Sequence, residues 1–332
     1  MLSYLVDIHP SSLRPMKILI APLNWGLGHA SRCIPLIRHY LTKGHEVVLA
    51  GDGESLSLLR RNFPDLRVMA LPHLNLRYSN GNSQIRAMLR AFPKIIAWAI
   101  ADHKALKKIL RTEPFDRVIS DNRFGCYAKG VQSVYITHQL LIPLPRPWQW
   151  LQPMLHRAHL RIIQRYSECW IPDHATEPFL SGKLSHYYPL PSNARFVGVL
   201  SRFPVHFREV PPTGSYDVVA VLSGLEPQRT LFEQAIIGEY SRTGKSLLIV
   251  RGKPDAPFCK ITKNNITLVP YMDDALLQHF LLQAETVIAR SGYSTVMDLY
   301  ALGVLSRSRL VPTPGQPEQE YLAAYIGSLG KH

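Results

Sequence analysis

The stretch KILIAPLNWGLGHASRCIPLIRHYLTKGHEVVLAG, residues 17–51, decides the fold class. Its two ends, 17–23 and 46–51, are short, continuous apolar runs of the kind found in buried parallel strands. Between them the spacing predicts a helix from about Ser31 to Thr42, with Gly44 as its C-terminal cap. Because parallel strands need a crossover connection, the order strand, helix, strand predicts an α/β fold with a doubly wound sheet.

The same alternation continues along the chain. Further strands are predicted at 66–71, 115–121, 133–138, 168–173, 194–200, 216–222, 246–252, 266–271 and 286–290. Helices in the first half are predicted at 54–62, at 83–112 with a break at Pro93, and at 148–166. Two β-α series in one chain predict two Rossmann-like domains.

A proline-rich stretch separates the two series. Residues 201–214 contain three prolines and no periodicity, which indicates an interdomain linker. The predicted organisation is a disordered extension at 1–15, a first Rossmann-like domain at 16–200, the linker at 201–214 and a second Rossmann-like domain at 215–332.

Composition narrows the classes of partner. The chain has 332 residues and a formal net charge of +14, which favours an anionic partner. Residues 86–165 hold 14 Lys and Arg against 4 Asp and Glu, so most of the surplus lies in the first domain. The four cysteines show no C-x-x-C spacing, which argues against a zinc site and favours a reducing, cytoplasmic location. No apolar run approaches the length of a membrane span.

Two glycine-containing motifs resemble nucleotide-binding loops only in part. The loop Gly26-Leu27-Gly28-His29-Ala30-Ser31 has serine where a dinucleotide fingerprint needs its third glycine. The stretch TGKS at 243–246 ends a helix instead of opening one, which is the reverse of a P-loop. An ordinary tight turn explains the glycines of the first loop, but it gives no reason for His29 and Arg32 beside them.

Polar residues gather at three predicted strand ends of the first domain. Asn24 and His29 follow the first strand, 121–123 (Asp-Asn-Arg) follow the fourth, and His138 follows the fifth. Turn chemistry and helix capping explain any one of these clusters. Three clusters on one rim indicate a site, because ligands of open α/β sheets bind beyond the carboxyl ends of the strands.

The second domain offers a phosphate site. In ARSGYSTVMDLYALG, residues 289–303, Arg290 and a glycine precede a predicted helix whose first turn contains Ser294 and Thr295. Unpaired N–H groups and the helix dipole favour a phosphate there. Asp298 lies one turn further on the same face and is placed to accept hydrogen bonds from ribose hydroxyls.

These motifs together resemble the GT-B glycosyltransferases, in particular glycosyltransferase family 28, the group that contains the lipid II-forming UDP-N-acetylglucosamine transferase. The resemblance covers most of residues 17–325. Its most specific part is R-S-G-x-S-T-x-x-[DE]-x-x-x-x-G at 290–303, followed by P-x-P-G-Q-x-E-Q at 312–319. It implies two Rossmann-like domains facing each other across a cleft.

The resemblance also implies roles for residues. His29 is the expected base, with Asp121 and His138 as alternatives that line the acceptor side. Residues 290–295 are expected at the donor diphosphate, with Ser223 and Gly224 nearby, and the backbone of Tyr271 and Met272 at the uracil. The residues expected to bind substrates are Gly28, Arg32, Asn122, Arg123, Ser223, Gly224, Arg290, Ser291, Gly292, Ser294, Thr295, Asp298, Gln316, Glu318 and Gln319.

Three features depart from the family pattern. Arg307 and Arg309 stand where a buried parallel strand should be apolar, and Ala323 and Ala324 stand where an asparagine often follows the glutamines. The chain also stops at His332, where such folds usually continue, so a truncated second domain is expected.

The function that the resemblance implies is transfer of a hexosyl group from a nucleotide sugar, UDP-linked, to a hydroxyl acceptor with inversion. No D-x-D motif occurs, so no metal is expected; the nucleotide sugar is a substrate, and no cofactor is expected. A nucleotide-sugar 2-epimerase and a non-catalytic nucleotide-sugar-binding protein remain alternatives.

The acceptor side raises a membrane hypothesis. Residues 89–111 and 144–166 combine tryptophans with basic residues, which indicates a peripheral surface for an anionic membrane and a lipid-linked or envelope acceptor. Core helices with solvated basic faces are the alternative interpretation. No recognition motif supports a nucleic-acid partner.

Overall fold

A computed structural model of the chain describes residues 14–74, 84–203 and 214–329. Most of the predicted extension at 1–15 and of the predicted linker at 201–214 lies outside the described residues. The chain divides into two compact units. The first holds the chain up to Asn24 together with His29–Leu200, and the second holds Trp25–Gly28 and Ser201–His332.

The first unit contains a seven-stranded parallel sheet. Its strands are β1 (Lys17–Pro22), β2 (Glu46–Gly51), β3 (Val68–Ala70), β4 (Arg117–Asp121), β5 (Gln132–Ile136), β6 (Glu168–Ile171) and β7 (Ala194–Phe196). Their order across the sheet is β3-β2-β1-β4-β5-β6-β7. The order reverses between β1 and β4, and this is the position where open α/β sheets bind ligands.

Helices connect the strands of this unit. They are α1 (Gly28–Thr42), α2 (Gly53–Asn62), α3 (Gln84–Thr112), α4 (Gln152–Ile163) and α5 (Lys183–His186). Helix α1 begins three residues before the predicted start, so His29 lies in its first turn. The single helix predicted at 148–166 is a short 3-10 helix, Arg146–Leu151, followed by α4.

The predicted break at Pro93 does not occur. Proline removes one backbone donor and clashes with the preceding turn, which usually interrupts a helix. Helix α3 nevertheless runs through Pro93. Trp98, Asp102 and Leu106, spaced four residues apart on one face of α3, are all buried. Packing along that face stabilises the helix, and tertiary contacts outweigh the local penalty.

The second unit contains a six-stranded sheet. Its strands are β8 (Val218–Val221), β9 (Leu247–Val250), β10 (Ile261–Lys263), β11 (Ile266–Val269), β12 (Thr286–Arg290) and β13 (Ser308–Val311). The order is β10-β11-β9-β8-β12-β13, and all pairs are parallel except β10 with β11. Its helices are α6 (Gln228–Tyr240), α7 (Asp274–Gln283), α8 (Tyr293–Ala301) and α9 (Pro317–Leu329). The order reverses between β8 and β12.

The strand order and the hydrogen bonds explain the two arginines, Arg307 and Arg309, that depart from the family pattern. Strand β13 is an edge strand, so one side of it faces solvent. Arg309 makes a two-pronged ion pair with Glu239, with N–O distances of 2.6 and 2.8 Å. Arg307 lies in the turn before β13 and donates to the carbonyls of Leu281 and Leu282 at the end of α7. The expectation of a buried apolar strand was wrong because the strand is not central.

Candidate functional site

Four polar side chains of the first unit meet at the carboxyl ends of β1, β4 and β5. Asp121 is the last residue of β4, His29 and Arg32 lie near the start of α1, and His138 follows β5. His29 Nδ1 lies 2.7 Å from Asp121 Oδ1. Arg32 donates to both oxygens of Asp121, and its Nη1 lies 3.1 Å from His138 Nδ1. One residue from each of the three predicted clusters (His29, Asp121 and His138) therefore belongs to one hydrogen-bonded group.

These contacts assign opposite tautomers to the two histidines. An ionised carboxylate only accepts hydrogen bonds, so His29 carries its proton on Nδ1 and has its lone pair on Nε2. A guanidinium only donates, so His138 accepts at Nδ1 and carries its proton on Nε2. Arg32 Nη2 also lies 2.9 Å from His29 Nδ1. Two donors cannot pair, so the Nη2 N–H of Arg32 is directed to Asp121 and not to His29.

Asp121 and Arg32 orient the histidines from inside the protein. Asp121 is 0% exposed and Arg32 is 1% exposed. Burial opposes the charge of Asp121, but Arg32 and His29 outweigh it and hold the pKa of the carboxyl below its usual range. Neither side chain reaches the surface. The predictions of Asp121 as a base and of Arg32 as a substrate contact are therefore corrected to positioning roles.

Asn122 has the left-handed backbone conformation, with φ of 57°. Its Oδ1 accepts a 2.8 Å hydrogen bond from the hydroxyl of Tyr135. This contact directs the amide NH2 of Asn122 away from Tyr135. Asn122 is half-buried, so it remains compatible with the predicted substrate contact.

Arg123 is a structural residue, contrary to the predicted substrate contact. Its side chain is 0% exposed. It pairs with Asp102 at 2.8 and 3.0 Å and with Asp52 at 2.9 Å. Its remaining N–H groups donate to the carbonyls of Pro22 and Pro72. All five donors of the guanidinium are thus used inside the unit.

Arg290 ends β12 in the second unit and is 5% exposed. It donates to the carbonyls of Pro312 at 2.8 Å and Gln228 at 3.1 Å, and its guanidinium lies 3.9 Å from the ring centre of Phe232. Within the described ranges no carboxylate pairs with it, and its buried Nε has no hydrogen bond. Burial lowers its pKa to about 10. A buried cation without a counter-charge favours an anionic ligand.

Helix α8 begins beside Arg290. Gly292 is its N-cap residue, and Tyr293 is its first helical residue. Ser291 is 0% exposed and donates to the carbonyl of Gln319 at 2.8 Å, so its hydroxyl holds α9 and is not directed at a ligand. The first N–H groups of the helix have no partner within it and carry the positive end of its dipole. The predicted anion site at 290–295 therefore rests on Arg290 and the backbone, with Thr295 half-buried.

Gly28 belongs to the second unit, where its backbone closely approaches Ser294. Ser294 Oγ donates to the Gly28 carbonyl at 2.8 Å. A Cβ added at Gly28 would lie 3.0 Å from Ser294 Oγ. The hydroxyl of Ser294 is thus occupied by the backbone of the first glycine loop.

Asp298, the predicted ribose contact, is held by the segment that follows Leu200. Its Oδ1 accepts from Ser201 Oγ at 2.8 Å and from the backbone N–H of Arg202 at 3.1 Å. Its Oδ2 lies 3.3 Å from Arg202 Nε. Burial raises the pKa of Asp298 to about 6, although Arg202 acts in the opposite direction. No local sequence pattern indicates that the segment after Leu200 covers this carboxylate.

The loop before α9 is held by its own amides. Gln319 accepts from the N–H of Thr313 at 2.8 Å and donates to Gln316 Oε1 at 2.6 Å. Both ends of the Gln319 amide are used inside the loop, so Gln319 positions Gln316. Gln316 and Glu318 are half-buried. Both remain predicted substrate contacts.

The loop after β8 lies at the same reversal of strand order as Arg290. Ser223 and Gly224 follow β8 and are half-buried. Gly224 has φ of 98°, a conformation that residues with a Cβ rarely adopt. The predicted diphosphate contacts of the second unit therefore come from two adjacent strand ends.

Comparisons with known proteins agree with this architecture. An uncharacterized glycosyltransferase of Methanosarcina mazei is 24% identical over 330 residues, which are 95% of this chain and 84% of the relative. The solved structure of the spinosyn rhamnosyltransferase SpnG is similar with a TM-score of 0.60 and 15% identity, over 95% of this chain and 84% of that one. SnogD from Streptomyces nogalater has a TM-score of 0.59 and 15% identity, over 95% and 86%. The fold is of the GT-B type. No family model matches the chain.

Three further features of the described residues concern a helix cap, metal binding and membrane spans. Asp273 is the N-cap of α7 and accepts from the N–H of Leu276 at 2.9 Å. Across the described parts of the chain, no group of three or more His, Cys, Asp or Glu side chains is arranged to hold a metal ion. In the same parts, the helices are too short or too polar to cross a membrane.

Proposed function

We propose that the chain is a glycosyltransferase that transfers a hexosyl group from a UDP-linked sugar to a hydroxyl acceptor. The similarity to proteins named glycosyltransferases and the GT-B fold support the reaction class. The observation that carries the proposal is the His29–Asp121 pair, a surface-reaching imidazole held by a fully buried carboxylate.

His29 is the general base of the proposed reaction. Its side chain is 16% exposed, and its Nε2 bears the lone pair. As the acceptor oxygen forms its bond to the anomeric carbon, Nε2 takes the hydroxyl proton and Asp121 stabilises the resulting imidazolium. The bond from the anomeric carbon to the diphosphate breaks in the same displacement, and UDP leaves with the electron pair. A single displacement inverts the anomeric carbon.

The second unit stabilises the leaving diphosphate. Arg290 supplies a positive charge in a dry environment, and the start of α8 adds backbone donors. Ser223 and Gly224 lie at the adjacent strand end, the backbone at 271–272 meets the uracil, and the 316–319 segment meets the sugar. This arrangement needs no metal ion, in keeping with the missing D-x-D motif.

The acceptor is proposed to be lipid-linked and presented at an anionic membrane surface. Trp150 and Met154 are 74% and 62% exposed. Arg157 and Arg161 are exposed on the same side of α4, at helical spacing from Met154. A helix face with apolar side chains at one end and arginines beyond them suits an interface with anionic headgroups.

The reaction is tested with a panel of UDP-sugars and the purified protein. We expect donor turnover in the presence of EDTA, with release of UDP. His29→Gln should lower turnover about 100-fold or more while UDP binding, measured by calorimetry, is retained. His39→Gln, on the same helix, should behave as the unchanged protein. Unaltered turnover in the His29 variant would exclude the base role, and scrambling at C2 without transfer would indicate an epimerase.

The membrane partner is tested by flotation with vesicles of phosphatidylcholine with or without 30% phosphatidylglycerol. We expect the protein to float only with the anionic vesicles at low salt. The double variant Trp150→Ser/Met154→Ser should bind at least fivefold less. Equal recovery of the protein with both kinds of vesicle, or none with either, would refute this partner.

A further inference from the structure

A second histidine–aspartate pair lies on the same rim of the first unit. His73 follows β3, and its Nδ1 lies 2.5 Å from Asp52 Oδ2. Asp52 follows β2 and precedes α2. The side chain of His73 is 56% exposed, whereas that of Asp52 is 12% exposed. The pair repeats the arrangement of His29 and Asp121, a solvent-reaching imidazole on a largely buried carboxylate.

Buried groups hold this pair in place. Asp52 also accepts from Asn24 Nδ2 at 3.1 Å and from Arg123 at 2.9 Å. The carbonyl of Pro72, directly before His73, accepts from Trp98 Nε1 at 2.9 Å and from Arg123 at 2.7 Å. The backbone and the side chain of His73 are therefore both fixed from below, which is unusual for an exposed residue because ordering it costs conformational entropy.

The tautomer follows from the carboxylate. The two oxygens of Asp52 accept hydrogen bonds from Arg123 and Asn24, and a carboxylate only accepts, so His73 donates from Nδ1 and carries its lone pair on Nε2. His73 Nε2 is then able to accept a hydrogen bond from a ligand hydroxyl. Stability alone does not require this histidine, because Arg123 and Asn24 already provide partners for both oxygens of Asp52.

We propose that the His73–Asp52 pair is a second hydrogen-bonding site for the acceptor, which takes a hydroxyl group other than the reacting one. The proposal rests on the function proposed above. Strands β2 and β4 flank β1, so the backbones of Asp52 and Asp121 lie two strand spacings apart, about 10 Å. An acceptor that meets both pairs carries several hydroxyl groups, as a sugar ring does. The acceptor class is therefore a polyhydroxylated, sugar-bearing molecule.

The test follows the histidine side chains by NMR without any donor. The protein is labelled with ¹⁵N-histidine, and the signals of His73 and His29 are identified from the His73→Gln and His29→Gln variants. Methyl β-D-glucopyranoside is the probe. We expect both signals to shift saturably with one midpoint, while the signal of His103, on α3, stays unchanged.

Variants link the shift to the pair. His73→Gln should raise the probe concentration at the midpoint of the His29 shift at least threefold, whereas His103→Gln should leave that concentration unchanged. Asp52→Asn should reverse the tautomer of His73, which is visible in its ¹⁵N shifts, and should raise the midpoint concentration of the probe by a similar factor. If Asp52→Asn does not fold, His73→Gln decides alone, because His73 is mainly exposed.

The result that overturns the proposal is a His73 signal that does not move under the probe, whether or not His29 responds. An unchanged midpoint in His73→Gln also overturns it. Failure of the proposed function is recognised separately, as absence of UDP-sugar turnover and UDP binding in the unaltered protein.

Discussion

Replacing Asp121 with asparagine should damage both stability and turnover, and the structure gives the reason for each. Asp121 binds Arg32 through both oxygens and His29 through one. An amide has one oxygen. If it faces His29, the NH2 group opposes Arg32 Nε; if it faces Arg32 Nε, the NH2 group opposes His29 and reverses the tautomer.

The expected magnitudes follow from burial. Arg32 is 1% exposed and loses its counter-charge in this variant. Breaking a buried ion pair by removing one partner costs about 3–5 kcal/mol. Loss of an oriented base lowers turnover about 10²–10⁴-fold. His29→Gln should lose turnover but little stability, because His29 keeps contact with solvent.

Stability is measured by urea unfolding at pH 7, and turnover by UDP release. Asp65→Asn, at an exposed position, is the control and should stay within about 0.5 kcal/mol. The pKa of Asp121 is lower in the folded state, so its contribution is present above the ordinary carboxyl pKa and is lost as pH falls below it. The variant should lack this acid-dependent loss. A cost below about 1 kcal/mol, or turnover equal to that of the unaltered protein, would refute the reasoning.

Three further predictions concern buried positions. Gly125→Ala places a Cβ 2.1 Å from the carbonyl of Ala99 and should cost about 1–3 kcal/mol in urea unfolding, whereas Gly238→Ala meets open space and should stabilise slightly; equal effects would contradict the packing. Arg123→Met leaves the fully buried Asp102 without its ion-pair partner and should lower the free energy of unfolding in urea by about 3–5 kcal/mol. The exposed Arg67→Met should lower it by about 1 kcal/mol or less. Similar unfolding midpoints for the two variants would argue against the buried ion pair. The pKa of Asp298 is raised to about 6. Its contribution to the free energy of unfolding is therefore fully present at pH values below the ordinary carboxyl pKa, and roughly 3 kcal/mol of it is lost as the pH rises to about 6. Asp298→Asn should reduce the pH dependence of the free energy of unfolding of the second unit between pH 4 and pH 6.5. An unchanged pH dependence would exclude this carboxyl as its source.

Local sequence patterns were sufficient for the architecture. The apolar runs at 17–23 and 46–51 became β1 and β2, and the alternation continued through both units, because buried parallel strands must be apolar on both faces. The strand-end rule also brought His29, Asp121 and His138 to one rim. Each of these inferences uses only the period of the chain and the direction of parallel strands, which the sequence carries in full.

The finer assignments depended on contacts between distant residues. The sequence suggested that Arg32, Arg123 and Asp298 contact substrates, and the structure shows each of them occupied by a partner: Arg32 by Asp121, Arg123 by Asp102, and Asp298 by Ser201. Charge and helical spacing reveal that such a residue is able to bind something, but they do not reveal which group lies opposite. For Arg307 and Arg309 the sequence suggested a buried strand where arginine is out of place. Only the strand order shows that β13 is an edge strand, where arginine is tolerated.

The amino-acid sequence thus determined the two Rossmann-like units and the rim on which the polar residues gather. The tertiary structure decided which of those residues reach solvent and which hold the others. His29 and His73 emerge with a ring nitrogen able to meet a ligand, because buried carboxylates from neighbouring strand ends fix their orientation. The physical reason is that a side chain's role depends on burial and on its hydrogen-bond partner, and both arise only when remote segments pack together.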